Sequence, residues 1–510
     1  MGKTYEQIID RFDGGISEDK RSKASNKFSI TKHFDAQTFP HKLVPHIKTE
    51  AVENKTYNIT KFLNSIIRNG TTEYIYGFGI EVGSGKAKVY RMLVNGTTWA
   101  SGANNTSGLA KKDGVFFEYK GYIYMYFGSG GTSRLIRYDT SGASAFEDNV
   151  IANVFSKTAI SFTTVVQPVH HPADDIAYFF YDNKVHALND TVWSDPADLI
   201  LPDNLKIVDA CAYGNYLAIA CVTKSIANPK SIVYLWDRDS SLATLTERLD
   251  FDTGKILFIA NLNNKLIAVM DVGSNNIMSL DKIKYLIKQA QGQFGVTINE
   301  LVADEILGQQ STEFSKVVDG DRLYFARQIP LNGDVRNGIW VVDSNGNISL
   351  DTIEEEILTA TNKRIDGILK TLSTWWISHS ADGSVNRSDL NKAYSTTLPS
   401  TYESLIVNGD KKHRAMKKKL ISVGVMTEPM PTAGKIVLSY RKDEDLDGSY
   451  TTVYTDTTND QTYHEAINIE STGADLEQGI EFQFLAESTG GAVIIGIKYK
   501  YELVNDELTD

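Results

Sequence analysis

The sequence predicts an all-β chain with about seven β-propeller blades, an N-terminal arm and a C-terminal β-sandwich. Three observations point there. Short apolar runs with period-2 alternation recur at the spacing of propeller blades. Each is followed by a second, more polar run and then by turn chemistry, including "VNGTT", "DTSGA", "LNDTVW" and "DSNGNIS". Past residue 410, at least six more strand-like runs follow without that period.

The recurring runs are "TEYIYGFGI", "GYIYMYFG", "DIAYFFYD", "NYLAIACV", "NKLIAVMDV", "DRLYFARQI" and "STWWISHS". Centred on Tyr76, Tyr124, Tyr178, Leu217, Ile267, Tyr324 and Trp376, they lie 48, 54, 39, 50, 57 and 52 residues apart. A lone four-stranded sheet cannot bury both faces; radial packing covers them and leaves only short edges. The 25 Tyr, 21 Phe and 6 Trp are suited to blade-to-blade contacts. The propeller is thus expected over 71–392, with 281–310 as the place for a helical insertion.

Residues 1–70 read as an arm with a short helix. In "NITKFLNSIIR", Ile59, Phe62, Leu63, Ile66 and Ile67 recur at helical spacing, with Asn58 as N-cap. Residues 393–410 read as a connector. The sandwich is expected over 411–510, from "LISVGVMTEPM", "GKIVLSYRKD", "SYTTVYTD", "TYHEAINIE", "IEFQFLAE" and "AVIIGIKYKYEL".

A 510-residue chain with 42% hydrophobic and 23% charged residues suggests a soluble protein of two or three domains. No window approaches 18 apolar residues, so no membrane span is expected. "MGKTYEQIIDRFDGG" has no apolar core like that of a cleaved leader. The net charge of -12 disfavours a grip on nucleic acid and suits DNA passing without adhesion. With Gly214-Asn215 as a turn, Cys211 faces Ala218 and Cys221 lies too far along for a disulfide. Both cysteines are expected to be small buried residues.

Candidate chemistry is sparse. Asp443, Asp445, Asp447 and Gly448 in "DEDLDG" follow the start of a calcium loop, where alternate oxygen donors and a glycine turn can wrap Ca²⁺. The twelfth position is Tyr454 where a bidentate Glu belongs, so an acidic hairpin is the competing expectation. "VHHPADD" groups His170, His171, Asp174 and Asp175, although adjacent strand residues point oppositely; a polar surface loop is expected. His33, His41 and His46 in the arm receive the same reading. The basic run "DKKHRAMKKK" at 410–419 offers either a docking patch or a solvated lead-in. No G-x-S-x-G, P-loop or H-E-x-x-H occurs, and "SADGSVNRSD" lacks the tryptophan of sialidase turns. The sequence therefore predicts no catalytic activity and no cofactor other than that calcium.

"FDGGI" at 12–16, followed by "FSITKHFDAQTFPHKLVPH", resembles the opening of tailed-bacteriophage virion proteins, in which a Gly-Gly arm precedes a propeller. "YESLIVNGDKKHRAMKKKLISVGVMTEPMPTAGKIVLSYRKD" at 402–443 is similar to their appended sandwich. The resemblance implies a virion component such as a tail nozzle, connector or tail-tip ring, held in the host cytoplasm during assembly. It implies a homo-oligomeric ring in contact with other tail proteins, with DNA passing through. The alternative is a propeller that binds a host-surface glycan, with Trp99 and Trp193 at blade tips stacking on sugars.

Overall fold

In the computed structural model, most of residues 4–504 are described; the longest stretches outside the description are 102–114, 148–165, 272–282, 302–315, 355–364 and 468–477. The chain is all-β, and its one described helical element is a 3-10 turn at Lys411–His413.

Among the described residues, the recurring runs form seven consecutive antiparallel sheets, each with a path of four strands. The stretch "GYIYMYFGSGGTSRLIRYDTSG" supplies the two middle strands of the second sheet, Tyr122–Ser129 and Thr132–Asp139. Tight turns join several of the successive strands. Asn263 and Asn264 both adopt positive φ between Lys255–Leu262 and Lys265–Asp271, the two-residue reversal whose twist matches its strands.

Large apolar residues link each sheet to the next. Phe78 lies 6.0 Å from Phe116, Phe117 5.0 Å from Phe179, and Tyr178 5.7 Å from Trp236 between ring centroids. Val208 and Val233 join Ile256 and Ile259 in one cluster between the fourth and fifth sheets. Phe258 meets Phe325, and Tyr324 meets Trp375 edge to face. The circuit returns to its start where Leu369 and Trp376 of the seventh sheet cluster with Phe62, Ile75 and Tyr90 of the first. Each such buried side chain contributes roughly 1.5–3 kcal/mol of hydrophobic stabilisation.

The seventh sheet takes its outer strand from the other end of the chain. Glu50–Glu53 pairs with Val385–Arg387, so the closure is held by backbone hydrogen bonds between distant segments. Two further five-stranded sheets are assembled from both ends. One contains Thr4–Ile9, Ile494–Leu503, Lys418–Thr427, Tyr463–Ile467 and the short Gln478–Gly479; the other contains Phe28–Lys32, Ser400–Ser404, Phe482–Thr489, Lys435–Lys442 and Thr451–Asp456. Their apolar residues, Val423, Leu438, Phe484 and Tyr499 among them, form one cluster.

Two expectations need correction. The helix expected around Asn58–Ile67 is not found among the described residues: Tyr57–Phe62 and Ile67–Asn69 are strands paired with Thr72–Glu81, and 63–66 lie outside the description. Pairing with the first sheet overrides a helical apolar spacing that a short segment cannot exploit alone. In the stretch expected to hold a helical insertion, the described residues are strands, Ile283–Gln289 and Val296–Leu301 of the fifth sheet, while 290–295 and 302–310 lie outside the described residues. Strands from 1–70 and 393–410 also belong to the C-terminal pair of sheets, which therefore draws on more of the chain than 411–510.

The motif "FDGGI" is the joint between the two bodies. Phe12 is fully buried and meets the Tyr402 ring at 5.1 Å. Gly15 has φ +72, and a Cβ there would lie 2.9 Å from the backbone nitrogen of Ile348. The Ile16 N–H then donates to the Ile348 carbonyl at 2.9 Å. Only glycine combines that conformation with so close an approach.

Candidate functional site

A concavity lies where the arm crosses the sixth and seventh sheets. Phe34–Asp35 and Val44–Pro45 pair as a small hairpin, and an Asp35 carboxylate oxygen accepts the N–H groups of Gln37 and Thr38 at 3.2 and 2.8 Å, tightening its loop. Beneath it is a cavity of about 450 Å³. Its wall draws Asp319, Arg322 and Asp351 from the sixth sheet and its tip, Lys370 and Trp375 from the seventh, and Asp35, Phe39 and His46 from the arm.

Asp351 anchors the buried side. It accepts from the Thr352 hydroxyl at 2.9 Å and from the Trp375 indole N–H at 3.3 Å, and it forms an ion pair with His46 at 3.2 Å. Burial would raise its pKa, but His46, Lys370 and Thr352 hold the carboxyl down at about 2. For His46, burial opposes the charge and the carboxylate of Asp351 outweighs it, leaving the pKa raised. The pair has ion-pair distance without hydrogen-bond geometry at the His46 Nε2.

His33 stands beside it, ring centroids 5.8 Å apart. It accepts the Ile353 N–H on Nδ1 at 3.1 Å, so the neutral ring carries its proton on Nε2. Burial first, and His46 second, push its pKa down to about 3. On the open side, Lys370 Nζ donates to the Tyr324 hydroxyl at 2.6 Å, lies 3.4 Å from Asp319, and sits 4.0 Å above the Tyr324 ring. Arg322 donates to the Thr38 hydroxyl at 2.7 Å. The cavity thus interleaves three carboxylates with Arg322, Lys370 and His46 around aromatic surface. Such a wall can offer both donors and acceptors to one ligand.

Of the residues singled out in the sequence, His46 lines this cavity and His33 is buried beside it, not in the polar surface loop expected of them; the others are elsewhere. Asp443, Asp445 and Asp447 lie outside the described residues. His170 and His171 point apart, as strand alternation requires: His170 is exposed and meets Asp175 at 2.8 Å, while His171 is buried. Nδ1 of His171 accepts from Arg238 at 3.0 Å and Nε2 meets the Tyr216 carbonyl at 3.1 Å. Burial, then Arg238, lower its pKa. With both ring nitrogens engaged, it has no lone pair for a metal, and among the described residues no group of three or more His, Cys, Asp or Glu could hold one.

The basic run is partly structural: Lys418 is fully buried and donates to the carbonyls of Met416 and Ile480 at 2.8 and 2.9 Å. Trp193 is buried, stacked on His186 at 5.1 Å and edge-on to Phe179, so it offers no face to a sugar; Trp99 lies outside the described residues. Thr427, His464 and Asp456 line up as hydroxyl, imidazole and carboxylate at 3.0 and 2.8 Å. His464 and Thr427 are buried, so the trio braces the C-terminal sheets.

No family model matches the chain, and no curated protein matches it. Among solved structures, it is similar to a chain of a mitotic checkpoint complex at 10% identity and TM-score 0.40, over 67% of this chain and 90% of that one. It is also similar to an exo-beta-1,3-galactanase from Phanerochaete chrysosporium at 10% identity and TM-score 0.29, over 97% and 100%. An alpha-L-arabinofuranosidase from Clostridium thermocellum gives 10% and 0.27, over 58% and 93%. At such scores the likeness designates no substrate and no residue. It does correct one expectation: with glycoside hydrolases among the structures it resembles, the lack of a sequence motif is no ground for reading the chain as catalytically inactive.

Proposed function

We propose that this chain is a seven-bladed β-propeller joined to a β-sandwich, and that it serves as a structural component of a tailed-phage virion, in a nozzle, connector or tail-tip ring. The observation that carries the reading is the joint at "FDGGI". The residues on which the resemblance rests are those that bind the two bodies into one block, through Phe12 against Tyr402 and Ile16 against Ile348. A particle part that holds its neighbours in register benefits from such a weld. The Glu50–Glu53 strand supports the propeller half of the reading, because it supplies a seventh sheet with a strand from the chain's other end. The net charge of -12 suits a wall past which DNA moves without sticking.

Mass photometry of the purified chain at micromolar concentration tests this. A discrete ring-sized species is expected. A monomer at every concentration and ionic strength, with none recruited by purified tail particles, would sink the proposal.

A second reading, recognition of a surface glycan, is favoured by the cavity under the arm rather than by blade-tip tryptophans.

A further inference from the structure

We propose that the cavity between the arm hairpin and the sixth and seventh sheets binds an uncharged, polyhydroxylated ligand, a neutral sugar unit. This deepens the glycan reading and rests on it, while being independent of the virion reading. Three features of the wall argue for that chemistry.

The first is charge. Asp35, Asp319 and Asp351 face Arg322, Lys370 and His46 across one space, so an ionic ligand of either sign meets repulsion as well as attraction. A hydroxyl carries a donor and two acceptor sites, and can bridge a carboxylate and a cation at once.

The second is surface type. Phe39, 40% exposed, and Tyr394 line the cavity together with Val44, Pro45 and Ile47, while the Trp375 indole is locked by its bond to Asp351. Apolar and aromatic surface beside a few placed polar groups is what a sugar's C–H and hydroxyl faces require.

The third is rigidity and size. Lys370 is held by Tyr324 and Asp319, Arg322 by Thr38, and Asp351 by three partners, so the polar groups are positioned before a ligand arrives. The volume of about 450 Å³ lies within the range of small-molecule pockets.

The test uses the full chain on an array of neutral and acidic glycans, followed by titration calorimetry with the best sugar. Arg322→Ala and Asp319→Asn change partly exposed groups at the tip of the sixth sheet, and an unchanged melting temperature verifies that each variant folds. A neutral sugar is expected to bind in the millimolar range or tighter, with at least about a tenfold loss in each variant. Neutral-glycan binding that neither variant weakens would overturn the cavity as the site and leave the glycan reading standing. Binding confined to sialylated or uronate glycans would overturn the ligand class. No binding to any glycan would overturn this inference and the glycan reading together, without touching ring assembly.

Discussion

His46 and Asp351 lie 3.2 Å apart across the seam where the N-terminal arm meets the sixth sheet, and His33 is buried directly beside them. The three groups respond differently to pH. The raised pKa of His46 gives a stabilisation that is full below the unfolded value of 6.5 and fades as pH rises through the folded one. The lowered pKa of Asp351 gives one that is present above 3.8 and lost as pH falls toward about 2. His33, held down at about 3, is the group that costs stability on acidification, because below pH 6.5 the unfolded chain binds a proton that the folded chain refuses. Stability should therefore fall from pH 6.5 toward 4, at up to about 1.4 kcal/mol per pH unit from this residue. His33→Asn keeps an acceptor and tolerates the residue's φ of +61, and should flatten that acid limb in denaturant unfolding. An unchanged limb would assign the loss to other groups.

Gly15→Ala should cost about 1–3 kcal/mol from backbone conformation alone, with a further steric penalty against Ile348. The arm should then become the first site of limited proteolysis. Wild-type melting temperature and cleavage pattern in the variant would show the joint to be dispensable.

Removing residues 1–53 takes away Glu50–Glu53 and exposes the edge of Val385–Arg387. It also strips Thr4–Ile9 and Phe28–Lys32 from the C-terminal sheets. Loss of cooperative unfolding and aggregation through the bared edges are expected. Removing only 1–10 deletes one edge strand, and should leave the recurring four-stranded sheets cooperative by calorimetry.

Cys211 and Cys221 are unbridged, and burial pushes the Cys211 thiol up to about 12 and the Cys221 thiol higher than its ordinary value. Cys221, fully buried, should not react with a thiol reagent at neutral pH until the protein unfolds, since the thiolate is the reactive form. Rapid labelling of Cys221 in the native protein would show that the fourth sheet opens locally.

The strands of the sheets were legible because their signals are local. Alternation in "NYLAIACV" and the turn at Gly214-Asn215 suffice to pair Cys211 with Ala218, which is the register observed. The segment at 57–69 was misread for the complementary reason: its apolar residues fit a helical spacing, and only the neighbouring strand Thr72–Glu81 decides against it. Trp193 looked like a surface anchor because turn residues surround it, whereas Phe179 and His186 cover it.

The candidate cavity was not legible. Its wall gathers residues from Asp35 to Tyr394; Asp35, Phe39 and His46 fall within "FSITKHFDAQTFPHKLVPH", but nothing in that stretch points to Asp319, Arg322, Asp351 or Lys370, and Trp375 reads as an ordinary strand residue in "STWWISHS". The duty of "FDGGI" was equally hidden, since it depends on Ile348 and Tyr402, more than three hundred residues away.

The amino-acid order by itself determined the β-strand character, the recurrence of the sheets and the separation of the two cysteines, because period-2 burial and two-residue reversals act over a few neighbouring positions. Which segment completes the seventh sheet, how the two ends share their sheets, and where charges and aromatic rings converge under the arm were decided only in three dimensions. Those features arise from contacts between segments far apart along the chain, and no local pattern encodes the meeting of distant parts.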